Sequence, residues 1–252
     1  MTAASRAPQW LTARPVAHRG LHDATAGIIE NTPSAVAAAI AGNYAIEVDL
    51  QISSDGEAMV YHDDALGRLT EGRGALAAMS AAAIKAVPFK ATRDRIVTLG
   101  ELCDLVGGRV PLVLELKSRF DGDPRVARRA VEVLAAYAGP AAAMSFDPAL
   151  VTALRHLRPA LPRGIVAERR LDTRDANMAA VWNNWRLAML THAPKSRPHF
   201  VAYNVTDLPA LGPVLARRLF GCPLLTWTVR TPQQVERARR HADQMIFEGF
   251  RP

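Results

Sequence analysis

The sequence predicts an α/β fold, a (β/α)8 barrel of eight parallel strands with a small insertion after the second barrel strand. Three observations carry this prediction. Short apolar runs recur eight times along the 252 residues. Each is followed by a stretch with helical start and stop signals, and strand–helix alternation of this kind builds a parallel sheet that eight repeats can close. The segment 51–97 is longer than an ordinary strand–helix connection and reads as an insertion over the barrel mouth. A doubly wound open sheet is the alternative topology.

The eight runs are PVAH (15–18), AIEVDLQI (45–52), PLVLELK (111–117), AAAMSF (141–146), GIVAE (164–168), FVAYNV (200–205), PLLTWTV (223–229) and QMIFEGF (244–250). A ninth, EAMVYHD (57–63), follows SSDGE closely enough to form a hairpin with 45–52. Thr32 before Pro33 is an N-cap with proline at the first helical position, and Gly42 can close that helix. Thr98 with Glu101 is a capping box. Asp147-Pro148, Asp207 and Thr231-Pro232 repeat the start signal. No stretch has the composition of a linker, so residues 1–252 read as one domain.

Apolar residues make up 49% of the chain, ample for a core. The net charge of +7 favours anionic partners such as phosphates, nucleic acids or lipid headgroups without choosing among them. The arginines are scattered over helical segments such as 125–129 and 237–240, with no aromatic interleaving on one element, which argues against nucleic acid. Cys103 and Cys222 lie far apart and outside any CxxC pair, so neither a disulfide framework nor a zinc site is expected. The N-terminus has no apolar h-region and no run reaches the length of a membrane span. A cytoplasmic location without stable membrane insertion is the expectation.

The chemistry concentrates at strand ends. Strand side chains alternate, so in AIEVDLQ one face carries Ile46, Val48 and Leu50 and the other Glu47, Asp49 and Gln51. In a barrel the apolar face meets the helices and the acidic face points inward. By the same parity Glu115 and Lys117 of LVLELK point inward. Glu47, Asp49 and Glu115 then converge. Like charges packed together raise one another's pKa. Arg19 and Lys117 can offset part of this, and a hard divalent cation such as Mg2+ or Ca2+, which favours carboxylate oxygens, does so better. The absence of cysteine from the cluster argues against a soft metal.

His18 ends the first strand and His62 the hairpin strand, both near that mouth. Two imidazoles beside a metal suit paired acid and base roles near neutral pH. His22, His156, His192, His199 and His241 have no such setting and read as structural or exposed. Arg19 offers a planar fork to a phosphate and Lys117 a point charge. Gly20 allows a tight turn after the strand. Glu30 and Asn31 stand just before a helix N-terminus, where they can hold Arg19 or His18, or where Glu30 can reach the metal.

With these residues in hand, the chain resembles the glycerophosphodiester phosphodiesterase family. The matching segments are AHRG (17–20), ENT (30–32), EVDLQISSDGEAMVYHDDALGRLTEGRG (47–74), TLGELCDL (98–105), LELK (114–117), SFD (145–147) and WTVR (227–230). They come in family order and span residues 16 to 250. The resemblance implies a TIM barrel that hydrolyses glycerophosphodiesters to sn-glycerol 3-phosphate and an alcohol. It implies His18 and His62 as the acid/base pair, and Glu47, Asp49 and Glu115 as ligands of Mg2+ or Ca2+. It also implies Arg19 and Lys117 on the phosphate and Trp227 beside the substrate alcohol. Attack by a neighbouring glycerol hydroxyl, giving a cyclic phosphate, and direct attack by water are both open routes.

Two positions depart from the family pattern. Ile29 stands where proline often precedes ENT, and EGFRP (248–252) replaces a TDRP-like ending. The long segment 168–197, with Trp182 and Trp185, is either plain helix packing or a cap on the alcohol-binding end. The competing functions are a lysophospholipase D-type hydrolase of longer lipids, a phospholipase D-like toxin relative, and a non-catalytic barrel that binds anions.

Overall fold

The computed structural model describes residues 7–169 and 185–252. Its strands are β1 (Val16–Ala17), β2 (Ala45–Ile52), β3 (Ala58–Val60), β4 (Ala65–Leu66), β5 (Gly74–Ala75), β6 (Leu112–Leu116), β7 (Ala141–Ser145), β8 (Arg163–Ala167), β9 (Phe200–Asn204), β10 (Leu224–Val229) and β11 (Gln244–Phe247). The helices that bear on the argument are α1 (Pro33–Ala41), α2 (Ala81–Ala86), α3 (Leu99–Val106), α4 (Arg125–Ala135), α5 (Pro148–Leu157), α6 (Ala193–Ser196), α7 (Leu211–Phe220) and α8 (Pro232–His241). The parallel strands run β1-β2-β6-β7-β8-β9-β10-β11 around the barrel, and β11 pairs again with β1. This is the closed eight-stranded TIM barrel that the alternation predicts, and the open doubly wound sheet is excluded.

Alternation sorts the side chains into two layers. Val16, Ala45, Val113, Met144, Val166, Phe200, Ala202, Leu225 and Ile246 fill the inside, with Leu11 among them. Ile46, Val48, Leu50, Leu112, Leu114 and Leu116 face outward against Leu99, Leu102 and Val106 of α3 and Val126, Ala130 and Leu134 of α4. The inward parity continues past the last core residue of each strand, so the polar strand ends are delivered to one mouth.

The hairpin forms as expected, with Leu50 opposite Val60 and Ile52 opposite Ala58. From β3 to α3 the chain carries a satellite core of Met59, Tyr61, Leu66, Leu76, Ile84, Phe89 and Ile96, which Ile29 joins. The cluster buries one face of the long connection between β2 and α3 and holds His62 near the mouth.

The helix starts follow the sequence signals with one exception. Thr32 accepts from Ala35 N, with Pro33 next. Thr98 with Glu101, and Thr231 with Gln234, form reciprocal capping boxes. Asp147 accepts from Ala149 N at 2.7 Å. Asp207 starts no helix. It ends a short 3-10 turn that Asn204 caps, its carboxylate accepts from Arg169 N at 2.7 Å, and α7 begins later behind Ala210 without a side-chain cap. A local start signal is overridden here, and the acid instead ties down the backbone at Arg169.

Gly20 has φ +79°, and a Cβ placed on it would lie 2.8 Å from Ala35 C and Cβ. Both the left-handed backbone and the close approach of α1 require glycine. Gly20→Ala is expected to cost about 1–3 kcal/mol of stability, seen as a lower urea midpoint at unchanged m-value.

Candidate active site

Barrel register assembles the acidic cluster. Asp49 on β2 sits opposite Glu115 on β6, and Glu47 lies one inward step below Asp49. One oxygen from each of the three carboxylates lies within 4.8 Å of the others, and all three residues are buried.

Compensation among the three is unequal. Asp49 is saturated. Lys117 Nζ donates to its Oδ1 at 2.8 Å, Asn31 Nδ2 donates to its Oδ2 at 2.8 Å, and Arg19 Nε forms an ion pair with Oδ2 at 3.2 Å. Asn31 Oδ1 also accepts from Asp49 N at 3.1 Å. Burial pushes the Asp49 carboxyl up, but Lys117 and Arg19 outweigh it and hold the group well below the usual carboxylate range. Lys117 reaches Glu115 Oε1 as well, at 2.5 Å. Glu47 is different. Its Oε2 accepts from Arg19 N at 2.9 Å, while its buried Oε1 has no partner among the described residues. Burial, then Asp49 and Glu115, push its pKa well above the ordinary value.

The cluster is therefore short of positive charge at Glu47, on the side that faces the cavity. An all-oxygen donor set with one unsatisfied buried carboxylate oxygen fits a hard divalent cation. Glu47, Asp49 and Glu115 are the residues able to hold it.

The loop after β1 supplies the cationic side. Arg19 and Asn31 both adopt left-handed backbone, φ 56° and 57°, and Asn31 N donates to Arg19 O at 2.9 Å. Strained conformations of this kind cluster at functional sites. Arg19 Nη1 donates to Glu30 Oε1 at 2.8 Å. Of the roles open to Glu30, the structure gives it the holding of Arg19, whereas the Asn31 side chain holds Asp49, a role not among those expected for it. Glu30 is not a member of the carboxylate cluster. Its carboxylate also receives Arg68 at 2.7 Å, Arg68 reaches Asp63 Oδ2 at 2.6 Å, and Asp63 Oδ1 bonds His62 Nδ1 at 2.7 Å. Alternating charges thus connect the Arg19 loop to the insertion that carries His62.

His18 continues β1, with its backbone N donating to Phe247 O at 2.9 Å and its Nδ1 2.5 Å from Glu248 Oε2. Burial lowers the His18 pKa, Glu248 pulls it the other way, and Arg19 adds to the lowering.

These groups surround a cavity of about 380 Å³. His18, Arg19, Glu47, His62, Glu115 and Lys117 line one side. Phe146, Glu168, Asn204, Trp227 and Arg230 line the other. Trp227 stands edge-to-face on Phe146, ring centroids 5.4 Å apart. Asp49, Glu30 and Asn31 sit behind the lining and anchor it.

Several lining residues escaped the sequence reading, although strand parity points to them. Phe146, Glu168 and Asn204 are each one inward step beyond Met144, Val166 and Ala202, and Asn204 Nδ2 donates to Glu168 Oε2 at 3.0 Å. His22 needs correction. It does not stand apart from the site, because its Nε2 lies 3.6 Å from Glu248 Oε2. The turn through Arg19 and Gly20, both at positive φ, folds the chain back toward the end of β11. His199 and His192 are structural, the first accepting from Arg163 N at 3.2 Å and the second paired with Ser196 Oγ at 3.2 Å. Of the segment 168–197, residues 170–184 with Trp182 lie outside the described residues, and Trp185 is 49% exposed and is not among the residues that line the cavity. No helix among the described residues is long and apolar enough to cross a membrane.

Residues 18–247 match the sequence profile of the glycerophosphoryl diester phosphodiesterase family. A curated relative, the glycerophosphodiester phosphodiesterase of Caldanaerobacter subterraneus subsp. tengcongensis, is 26% identical over 232 residues, covering 88% of each chain. The fold is similar to that of an Oleispira antarctica phosphodiesterase solved in complex with its product sn-glycerol-3-phosphate, with TM-score 0.75 and 20% identity over 92% of this chain and 91% of that one. It is also similar to a glycerophosphodiester phosphodiesterase from Parabacteroides distasonis, with TM-score 0.74 and 19% identity over 93% and 92%. At these identities the structural likeness establishes the shared barrel.

Proposed function

The chain belongs to the glycerophosphoryl diester phosphodiesterase family, and we propose that it hydrolyses glycerophosphodiesters to sn-glycerol 3-phosphate and an alcohol, using a divalent cation and two histidines. The observation that carries this reading is the unpartnered, buried Glu47 Oε1 within a cluster of three carboxylates, on the wall of a cavity that His18 and His62 also line. The product-bound Oleispira enzyme on the same fold supports the substrate class.

Glu47, Asp49 and Glu115 would hold Mg2+ or Ca2+, which when bound would supply a Lewis acid to the phosphoryl group. Arg19 and Lys117 stand at the edge of that cluster and neutralise charge that grows on the phosphoryl oxygens. Glu30 and Asp49 keep both cationic groups aimed there at no further cost in ordering. One imidazole takes the proton of the attacking oxygen while the other protonates the departing alcohol oxygen. Trp227, braced by Phe146, presents an aromatic surface to the organic part of the substrate.

The test is a coupled assay of glycerol 3-phosphate release across several glycerophosphodiesters, in EDTA and then with Mg2+ or Ca2+ restored. Release that stops in EDTA and returns with the cation is the expected result. No turnover of any diester with any cation sinks the reading.

Cation binding has a readout independent of catalysis. At one hundred times its Kd the ion is expected to stabilise the fold by about 2.7 kcal/mol, seen as a raised thermal midpoint after EDTA treatment and add-back. In Glu47→Gln the rise is expected to disappear. A variant that keeps it removes Glu47 from the ligand set.

A further inference from the structure

We propose that Glu248 is a positioning residue for His18, fixing the hydrogen on Nδ1 and leaving Nε2 to face the reacting oxygen. The proposal rests on the reading that His18 transfers a proton.

Barrel closure creates the pair. Val16 and Ala17 of β1 align with Ile246 and Phe247 of β11, so the next residues, His18 and Glu248, emerge side by side at the mouth. On the other flank, Val229 of β10 aligns with Phe247, which brings Arg230 alongside Glu248. The carboxylate then uses both oxygens. Oε2 lies 2.5 Å from His18 Nδ1, and Oε1 accepts from Arg230 Nε. Arg230 therefore prevents the carboxylate from swinging away, and the partly buried Glu248 side chain is 18% exposed. His22 Nε2 approaches Oε2 from a third side at 3.6 Å.

An ionised carboxylate accepts hydrogen bonds and donates none, so the contact with His18 requires the hydrogen on Nδ1. Burial pushes the Glu248 carboxyl up, but the hydrogen bonds to His18 and Arg230, with His22 close by, outweigh it and keep the group ionised. Nε2 then holds the lone pair of the neutral ring and is the nitrogen left to the cavity that His18 lines. When Nε2 takes a proton, the adjacent anion stabilises an imidazolium that burial alone would disfavour.

The experiment compares wild type, Glu248→Gln and Glu248→Ala, with glycerophosphocholine and Mg2+ as the probe. It combines steady-state kinetics with two-bond 15N–1H correlation spectra of the histidine rings, assigned by the signal lost in His18→Gln. Wild type is expected to show His18 with its hydrogen on Nδ1. Glu248→Ala is expected to lose that pattern and about 10–100-fold in kcat, with KM little changed. Glu248→Gln still presents a carbonyl oxygen to Nδ1, so it is expected to keep the tautomer and to fall between the two in kcat.

A resting His18 with its hydrogen on Nε2 overturns the proposal, as does wild-type kcat in Glu248→Ala. If Glu248→Ala fails to fold, the wild-type spectrum and Glu248→Gln decide. If wild type turns over no diester, the phosphodiesterase reading is what fails, and the wild-type spectrum alone judges the placement of Glu248.

Discussion

His62→Ala and His18→Ala are each expected to lower kcat by about 10²–10⁴-fold, the usual share of general acid–base help in such a reaction. The His62 side chain is 32% exposed and its ring bonds Asp63, which keeps Arg68 when the imidazole is gone. Glu248 likewise keeps Arg230 when His18 is removed. Far-UV circular dichroism and the urea midpoint are therefore expected to stay close to wild type, so that lost turnover reports chemistry. Full turnover in either variant, at saturating cation, takes that histidine out of the proposed scheme.

The largest effect on stability is expected at Asp49. Its carboxylate is buried and neutralises Lys117 and Arg19 while satisfying Asn31. Asp49→Ala strands those partners, and breaking a buried ion pair by removing one member costs about 3–5 kcal/mol. Glu47→Gln should behave in the opposite way in EDTA. The carboxylate it replaces has an unpartnered buried oxygen, so neutralising it is expected to leave stability unchanged or raised.

The pH dependence separates the two residues. The folded pKa of Asp49 is depressed, so its contribution is full above the unfolded value, about 3.9, and is lost as pH falls toward the folded value. The folded pKa of Glu47 is raised, so its protonated form helps at low pH and that help is lost as pH rises through the folded value. Urea titrations of wild type and Asp49→Ala at pH 7 and at pH 3 check this, and a gap that does not narrow in acid contradicts the assignment.

Local periodicity made much of the site legible. In AIEVDLQ and LVLELK the apolar alternation marks the outward face, so Glu47, Asp49, Glu115 and Lys117 had to point inward once a barrel was inferred. Thr32, Thr98 and Thr231 announce helix starts because a cap is an interaction between near neighbours in the chain. The same parity points to Phe146, Glu168 and Asn204, but of the three only Phe146 also fell in a matching segment, SFD, and none was singled out.

What the sequence determined by itself was the barrel, the inward acidic strand ends, and the two histidines set beside them. Only the tertiary structure decided which partners each charged group takes. Glu30 had three possible roles on paper, and the fold chose the holding of Arg19 because Arg68 arrives from the insertion to share it. His18 and Glu248 are 230 residues apart, and nothing near either one announces the other. They meet because β1 closes on β11 in one register, and side-chain pairing across a closing seam depends on three-dimensional register, which no local pattern of residues encodes.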